Sequence, residues 1–344
     1  MSAHAAPAYS AEHYDSKIAL WAVLMGSMAG TLMQALDTTI ANVALPYMQG
    51  SLSASRDQIT WVLTSYIVAA AIMTAPVGWI AARFGKKNFL IVSLTGFTVT
   101  SMMCGLAQTL DQMIMFRLAQ GAFGAALGPL SQSVMLDMYP PQKRGNIMAI
   151  WGMGVMLGPI MGPTLGGWLT DSYSWRWVFF VNLPFGILTT AGLWVFMSET
   201  PTRRDVPFSW FGFLSLSLGI GSLQMMLDRG EQLGWFESPE IWIETILAIV
   251  GFYFFLADCL TSERPFISVR IFKDWNFSIA LVFMFLVGIM LLASMALVTP
   301  FIQNLLNYPV FSSGVLLGTR GIGTFVGMFV VGRLSGKVDP RIMI

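Results

Sequence analysis

The sequence predicts an all-α, polytopic membrane protein, and three observations carry that prediction. The 344 residues are 55% hydrophobic and only 11% charged, with a mean hydropathy of +0.67, whereas soluble domains carry about 25% charged residues. Apolar runs of about 20 residues, the length that spans a bilayer as a helix, recur along the chain. The basic residues alternate with those runs in the pattern that sets membrane orientation. Composition also excludes. The two histidines, His4 and His13, precede the first apolar run, and Cys104 and Cys259 stand far apart in apolar surroundings. A haem, a histidine-ligated metal or a disulfide framework therefore has no candidate ligands, and neither a cofactor nor a nucleic-acid partner is expected.

Residues 1–17 are small and polar and read as a cytoplasmic tail. The first apolar run is too long for a signal-peptide core and lacks a cleavage site, so it reads as a retained helix. About ten helices are expected, over residues 18–45, 58–81, 88–108, 112–136, 146–169, 176–197, 210–228, 240–260, 276–299 and 313–335. With the N-terminus inside, the cytoplasmic segments hold Lys17, Arg83, Lys86, Lys87, Lys143, Arg144, Arg203, Arg204, Arg264, Arg270, Lys273, Arg333, Lys337 and Arg341, which is 14 of the 19 basic residues. Outer segments hold three, Arg56, Arg176 and Arg229, while Arg117 and Arg320 lie within helices. Cytoplasmic loops collect Lys and Arg, so this bias sets an N-in orientation.

There is an internal echo. Gly78 to Lys87, GWIAARFGKK, closes the second helix, and Gly332 to Arg341, GRLSGKVDPR, closes the tenth on the same side. Two halves built on one plan are common in secondary transporters. The echo predicts an N-terminal six-helix bundle over 18–200, a two-helix insertion over 201–262 and the start of a C-terminal bundle over 263–344. An eleventh helix is expected where the sequence stops at Ile344, so the chain reads as a fragment or truncated product of a longer transporter.

Four stretches carry chemistry or mechanics. Leu36 to Pro46, LDTTIANVALP, places Asp37 inside an apolar helix, where a charge costs at least about 2.5–3.5 kcal/mol on insertion scales. Two readings fit it: a carboxylate close enough to the outer surface to be solvated, or a protonation site. Arg117 to Gly121, RLAQG, followed by Gly124, buries a base in the fourth helix. At 1.5 Å rise per residue, Arg117 and Asp37 fall at similar depth, which permits contact, although Arg117 could also snorkel outward. In the fifth helix Gly154, Gly158, Gly162 and Gly166 recur every four residues, with Gly167 adjacent and Pro159 and Pro163 beside the stripe. Such a stripe lets a second helix approach backbone to backbone. The loop after the second helix gathers Gly78, Arg83, Gly85, Lys86 and Lys87. It fits either a topology anchor or a gate.

These stretches, in this order, resemble the major facilitator superfamily, and within it the 14-helix drug:proton antiporter family of the EmrB/QacA type. The resemblance covers about residues 18–344. Trp175 to Gly186 is similar to the family's approach to helix six, Glu263 to Lys273 to its amphipathic lead into helix nine, and Pro140 to Arg144 to the loop after helix four in EmrB-like proteins. The resemblance implies the superfamily fold with about ten of fourteen helices present. It implies proton-coupled export of hydrophobic or amphiphilic compounds across a bacterial inner membrane by alternating access, with Asp37 and Arg117 in proton coupling. The glycine stripe becomes the antiporter motif, a close and bendable crossing expected at the interface of the two halves. Gly78 to Lys87 becomes the cytoplasmic gating loop. It departs from the family at Ala82, where most members have aspartate, so Asp137 is the alternative partner for its cations.

Gln34, Asn42, Gln120, Ser131, Gln132 and Arg320 are the polar groups that could line a substrate cavity. For each of the first five, helix–helix hydrogen bonding fits slightly better than substrate contact, and Arg320 also fits snorkelling. No resident cofactor is implied, the proton gradient being the energy source. The implied partners are the lipid bilayer, small hydrophobic or cationic drugs and, for the EmrB-like subgroup, a periplasmic membrane-fusion adaptor and an outer-membrane channel. The alternatives are export of a specific metabolite, peptide or siderophore, or a non-transporting truncated product.

Overall fold

The computed structural model describes residues 17–203, 205–308 and 310–334. Regular structure among them is helical throughout. In order the helices are α1 (Lys17–Ser51), α2 (Arg56–Thr74), α3 (Val77–Phe84), α4 (Lys86–Leu106), α5 (Leu110–Gly124), α6 (Leu127–Met138), α7 (Pro141–Ser172), α8 (Trp177–Phe180), α9 (Asn182–Phe196), α10 (Trp210–Arg229), α11 (Pro239–Thr261), α12 (Trp275–Pro300) and α13 (Val310–Leu334). Taking α5 with α6 and α8 with α9, seven spans are long and apolar enough to cross a membrane. The pair α2 and α3, bent by 57°, makes an eighth if it is one span. With α12 and α13 this matches the expectation of about ten.

Three of the expected single helices are interrupted, each for a local reason or at an identifiable place. Between α2 and α3 stands Pro76, which has no N–H to give the ladder and crowds the preceding turn. The fourth helix breaks at Ala125 and Ala126. The sixth breaks at Val181, just ahead of Pro184, whose missing N–H falls among the donors that a new helix start leaves unbonded anyway. Two helices run longer than expected. α1 continues through Pro46 to Ser51, and α7 begins at Pro141, a first-turn proline. The expected tail before Lys17 and the second copy of the echo beyond Leu334 lie outside the described residues.

Two compact units make up the chain: residues up to Val206 with those from Gly318 onward, and Pro207 to Leu317. In the first unit α1 is the central helix, packed against α7, α9, α6 and α2, while α5 packs on α2 and α4. Two apolar cores form. One gathers Val23, Leu24, Met33, Tyr66, Leu94, Phe97 and Leu127; the other gathers Ile40, Ala44, Met48, Val62, Cys104, Met113 and Phe179. Along α1 the first ends at Met33 and the second starts at Ile40. Asp37 sits between them, so a polar layer divides the apolar interior at that level.

In the second unit α10 and α11 form a hairpin whose helices touch at Gly219 and Gly251. A Cβ on Gly251 would lie 2.7 Å from the Gly219 Cα and 2.9 Å from the Ser215 carbonyl oxygen. Buried Asp258 closes one end, accepting from Ser209 Oγ at 3.1 Å and from the Phe266 N–H at 3.1 Å. At the other end Arg229 pairs with Glu240 and lies 3.6 Å from the buried carboxylate of Glu244.

Candidate functional site

The polar layer is built by five helices, and the spacing of the sequence explains who reaches it. Arg117 and Gln120 are three residues apart on α5 and therefore share a face. Arg117 Nη1 donates to Asp37 Oδ2 at 2.6 Å and to Gln120 Oε1 at 2.8 Å, and Gln120 Nε2 donates to Asp37 Oδ1 at 2.8 Å. Arg117 Nε donates to the Val62 carbonyl at 3.0 Å. Gly121, next in the motif, makes that last contact reachable: a side chain there would collide with the Tyr66 backbone, its Cβ 3.1 Å from the Tyr66 Cα, so only glycine lets α5 lie this close to α2.

The ion pair is fully enclosed. The Arg117 and Asp37 side chains are 0% and 1% exposed. Taking two charges out of water costs several kcal/mol per ion, and direct attraction offsets that only when further hydrogen bonds satisfy both groups. Here they do for Asp37, which accepts three. The Arg117 guanidinium also stacks over the Tyr66 ring, 4.3 Å from its centroid, with Phe179 on another side at 5.7 Å. Such contacts are worth more when desolvated, as here. Solvation at the outer surface and snorkelling, the two alternative readings of the sequence, are thus both replaced by mutual burial.

The third donor to Asp37 comes from a residue whose role the sequence did not disclose. Asn182 Nδ2 donates to Asp37 Oδ1 at 3.2 Å and to Ser101 Oγ at 3.0 Å. Asn182 opens α9, and Gly186 four residues on faces the same way, where a side chain would strike Thr98 of α4. The stretch NLPFG therefore docks α9 on α4 and delivers one amide to the cluster. The available signal was an asparagine with glycine at i+4 in an apolar helix. Ser101 and Tyr66 had no signal beyond being polar in apolar surroundings.

The other candidate residues fall in several places. Gln120, expected on a cavity wall, is fully buried and its amide is used within the cluster. Ser131 is also fully buried and accepts from Trp151 Nε1 at 3.2 Å. Gln34 is half-buried beside Gly128, and Asn42 and Gln132 are exposed. Arg320 belongs to α13, but its side chain lies outside those described.

The glycine stripe is occupied within its own bundle. Expected at the interface of two halves, it faces α1 instead. A Cβ on Gly158 would lie 2.6 Å from Ala35 Cβ, one on Gly162 would be 2.7 Å from Thr39 Cβ, and one on Gly166 would be 3.3 Å from the Ile40 Cα. Thr39 Oγ1 donates across the crossing to the Gly158 carbonyl at 3.3 Å. The reason is geometric: α1 and α7 are both long, and only a groove without side chains admits α1 at backbone distance. Gly167 lies off this face, with open space around it. At one end of the same pair, Tyr47 donates to Asp171 Oδ1 at 2.6 Å.

The loop Gly78 to Lys87 is tied down on two sides. Lys86 pairs with Asp137, the acid expected as the alternative to the one missing at Ala82, and donates to Ser133 Oγ at 2.7 Å. Lys87 lies 3.7 Å from Glu199. The connection after α9 crosses the same loop: Arg203 N–H donates to the Ala82 carbonyl at 2.7 Å, and Trp79 Nε1 to the Val206 carbonyl at 3.1 Å. Gly85 has φ +87°, a backbone open in practice to glycine, and it turns the chain sharply from α3 into α4. Gly78 has no close neighbour. Arg176 caps α4 by donating to the Gly105 and Ala107 carbonyls at 2.7 and 2.6 Å, where a cation also complements the helix dipole.

Comparison with known proteins gives a consistent result. Residues 27–344 match the family model of the Major Facilitator Superfamily. The chain is 38% identical over 315 residues to the multidrug export protein EmrB of Haemophilus influenzae, covering 91% of this chain and 62% of that protein. It is 39% identical to EmrB of Escherichia coli K12, covering 90% and 61%, and 36% identical to the fatty acid resistance protein FarB of Neisseria gonorrhoeae, covering 94% and 64%. It thus spans about three fifths of the length of these relatives. Among solved structures it is similar in fold to the proton:xylose symporter XylE (TM-score 0.58, 12% identity, 92% of this chain and 69% of that one). A peptide transporter POT is similar to the same degree (TM-score 0.59, 15% identity, 92% and 69%).

Proposed function

This chain belongs to the Major Facilitator Superfamily, and from that premise we propose that it acts in proton-coupled export of hydrophobic and amphiphilic compounds across a bacterial inner membrane. It is an integral, multi-pass membrane protein. We place its N-terminus in the cytoplasm on the positive-inside bias of its loops. The single observation that carries the mechanism is the enclosed Asp37–Arg117 pair on the helix that also fills the α7 glycine groove.

A buried ion pair is a switch because its two states differ in charge. With Asp37 ionised, three donors hold it and tie α1 to α5 and α9. A proton on Asp37 removes the charge that compensates Arg117, and a lone buried cation is costly. The cluster must then open or rearrange, and α1 carries that movement to α7, against which it lies at backbone distance. Inward proton flow through Asp37 would thereby drive α1 and α7 between states that open to opposite sides, the alternating access of this class. Lys86 with Asp137, and the strap from Glu199 to Val206, would hold the cytoplasmic side in one of those states. The energy source is the proton gradient, with no resident cofactor.

The substrate class follows from the relatives, whose names report multidrug export and fatty acid resistance. Hydrophobic and amphiphilic molecules are the chemistry we take the two to share. Asn42 and Gln132, both exposed, and half-buried Gln34 are the polar groups we assign to the cavity wall, with Arg320 as a fourth. A periplasmic adaptor and an outer-membrane channel would complete the export path in the EmrB manner. Relatedness to a protein named for fatty acid resistance also favours a narrower reading, export of one class of amphiphile.

The test is gradient-driven movement of a lipophilic dye into everted membrane vesicles that contain this protein. Dye movement should follow an imposed proton gradient and stop when an uncoupler collapses it. Asp37→Asn should abolish the dependence. Efflux that ignored the gradient, or coupling that survived Asp37→Asn, would overturn the proposal.

A further inference from the structure

The Asp37 cluster contains a polarity problem that its own residues can solve. Arg117 Nη1, Gln120 Nε2 and Asn182 Nδ2 all approach Asp37 as donors. That set suits a carboxylate. It offers no acceptor for the hydrogen of a carboxylic acid, and arginine has no acceptor to offer in any orientation. Gln120 has one, but its Oε1 already accepts from Arg117 Nη1 at 2.8 Å and from Cys104 Sγ at 3.5 Å. Turning that amide over would set its NH2 against the guanidinium.

Asn182 is different because of its second partner. Ser101 Oγ accepts from Asn182 Nδ2 at 3.0 Å and donates to the Phe179 carbonyl at 2.9 Å. A hydroxyl can exchange donation for acceptance by rotating about one bond. Asn182 is 2% exposed and Ser101 0% exposed, so no solvent competes for either group. The Phe179 carbonyl also accepts from the Val181 N–H at the break between α8 and α9, and so keeps a partner if Ser101 turns away.

We infer that Asn182 and Ser101 form a reversible positioning pair that follows the charge of Asp37. With Asp37 ionised, Asn182 donates to Oδ1. When a proton binds at Oδ1, the Asn182 amide turns over so that its Oδ1 accepts the Asp37 O–H, and the Ser101 hydroxyl swings from Phe179 to donate to the same amide oxygen. Only hydrogen bonds are exchanged, and the proton stays on Asp37. The charged or titratable groups facing Asp37 from the packed helices are Arg117 on α5, Tyr66 on α2 and Cys104 on α4. Arg117 has no acceptor to offer and Cys104 Sγ is engaged with Gln120 Oε1; the Tyr66 hydroxyl is buried without a hydrogen-bond partner among the described residues, and no hydrogen bond joins it to Asp37. The inference rests on the reading of Asp37 as the group that takes up the proton.

Infrared difference spectra of the full-length protein in lipid, recorded between alkaline and acid pH, test it. A carboxylic-acid carbonyl band should appear on acidification and be missing in Asp37→Asn. An asparagine side-chain carbonyl band should shift with it, be lost in Asn182→Ser, shrink at least twofold in Ser101→Ala and return in Ser101→Thr. A purely structural role for Ser101 predicts no amide shift at all. Should Ser101→Ala fail to fold, wild-type protein labelled at the asparagine carboxamide keeps the test intact, because the absence of any pH-linked amide shift refutes the pair. The failures separate cleanly. An acid band that persists in Asp37→Asn overturns the reading of Asp37. An Asp37 band without an Asn182 shift, or a shift equal in Ser101→Ala and wild type, overturns the inference alone.

Discussion

Replacing Gly158 by alanine probes the contact on which the proposed movement depends. The added methyl carbon would sit 2.6 Å from Ala35 Cβ, 3.0 Å from the Ala35 carbonyl carbon and 3.1 Å from the Leu36 nitrogen. Comfortable carbon contacts are about 3.5–4.0 Å, so α1 and α7 must part by about 1 Å. Two of the three obstructing atoms are backbone and cannot swing aside. Overpacking of this kind costs about 1–3 kcal/mol, and the helix-propensity gain of alanine over glycine returns about 1 kcal/mol. The net loss of stability is therefore modest, about 0–2 kcal/mol. The geometric effect is larger, because Ala35 is two residues from Asp37 and the shift is transmitted to a 2.6 Å contact with Arg117. Gly167→Ala is the matched control, since nothing lies within 4 Å of its added Cβ. Thermal unfolding in detergent and gradient-driven dye efflux should be read side by side. Gly158→Ala should match or fall below wild type in melting and lose most of its coupled efflux, while Gly167→Ala keeps both. A Gly158→Ala protein with coupling equal to that of Gly167→Ala would refute the argument that α1 seats against this groove.

Four further outcomes follow from local geometry. Arg117→Ala should lower stability by about 3–5 kcal/mol, the cost of leaving one buried charge uncompensated, and Asp37→Asn in the same chain should recover part of it; denaturant or thermal unfolding reads both. Lys86→Ala should cost less than about 1 kcal/mol, because its ion pair with Asp137 is partly exposed (26% and 29%) and screened by water, yet it should alter the efflux rate if the pair holds a cytoplasmic gate. Gly85→Ala should destabilise by about 1–3 kcal/mol through backbone strain at φ +87°, with its Cβ only 3.1 Å from Thr200 Oγ1. A glycine-to-serine change at Gly78, where no neighbour stands within 4 Å, should by contrast be tolerated in the same unfolding assay.

The membrane class, the order of the helices and the two buried charges, Asp37 and Arg117, were all legible in the amino-acid sequence, whereas their pairing was only permitted by their similar depth. Each rests on a local signal: the length of an apolar run, the side on which Lys and Arg collect, and the expense of an acid or a base inside an apolar helix. Arg117 and Gln120 could be placed on one face from their spacing alone. What spacing along a helix cannot state is which helix faces it. The glycine stripe announced a close crossing, which the family resemblance put at the interface of the two halves; in the structure α1 fills it from within the same bundle. Gln120 was open to a cavity wall or a helix–helix hydrogen bond, because polarity in an apolar helix has the same appearance whether a side chain meets substrate or a buried charge. Asn182 went unmarked for the same reason. Only the tertiary structure brings residues 37, 101, 117 and 182 to one point, because hydrogen bonds to a buried carboxylate are satisfied in space, by helices that meet there from distant parts of the chain.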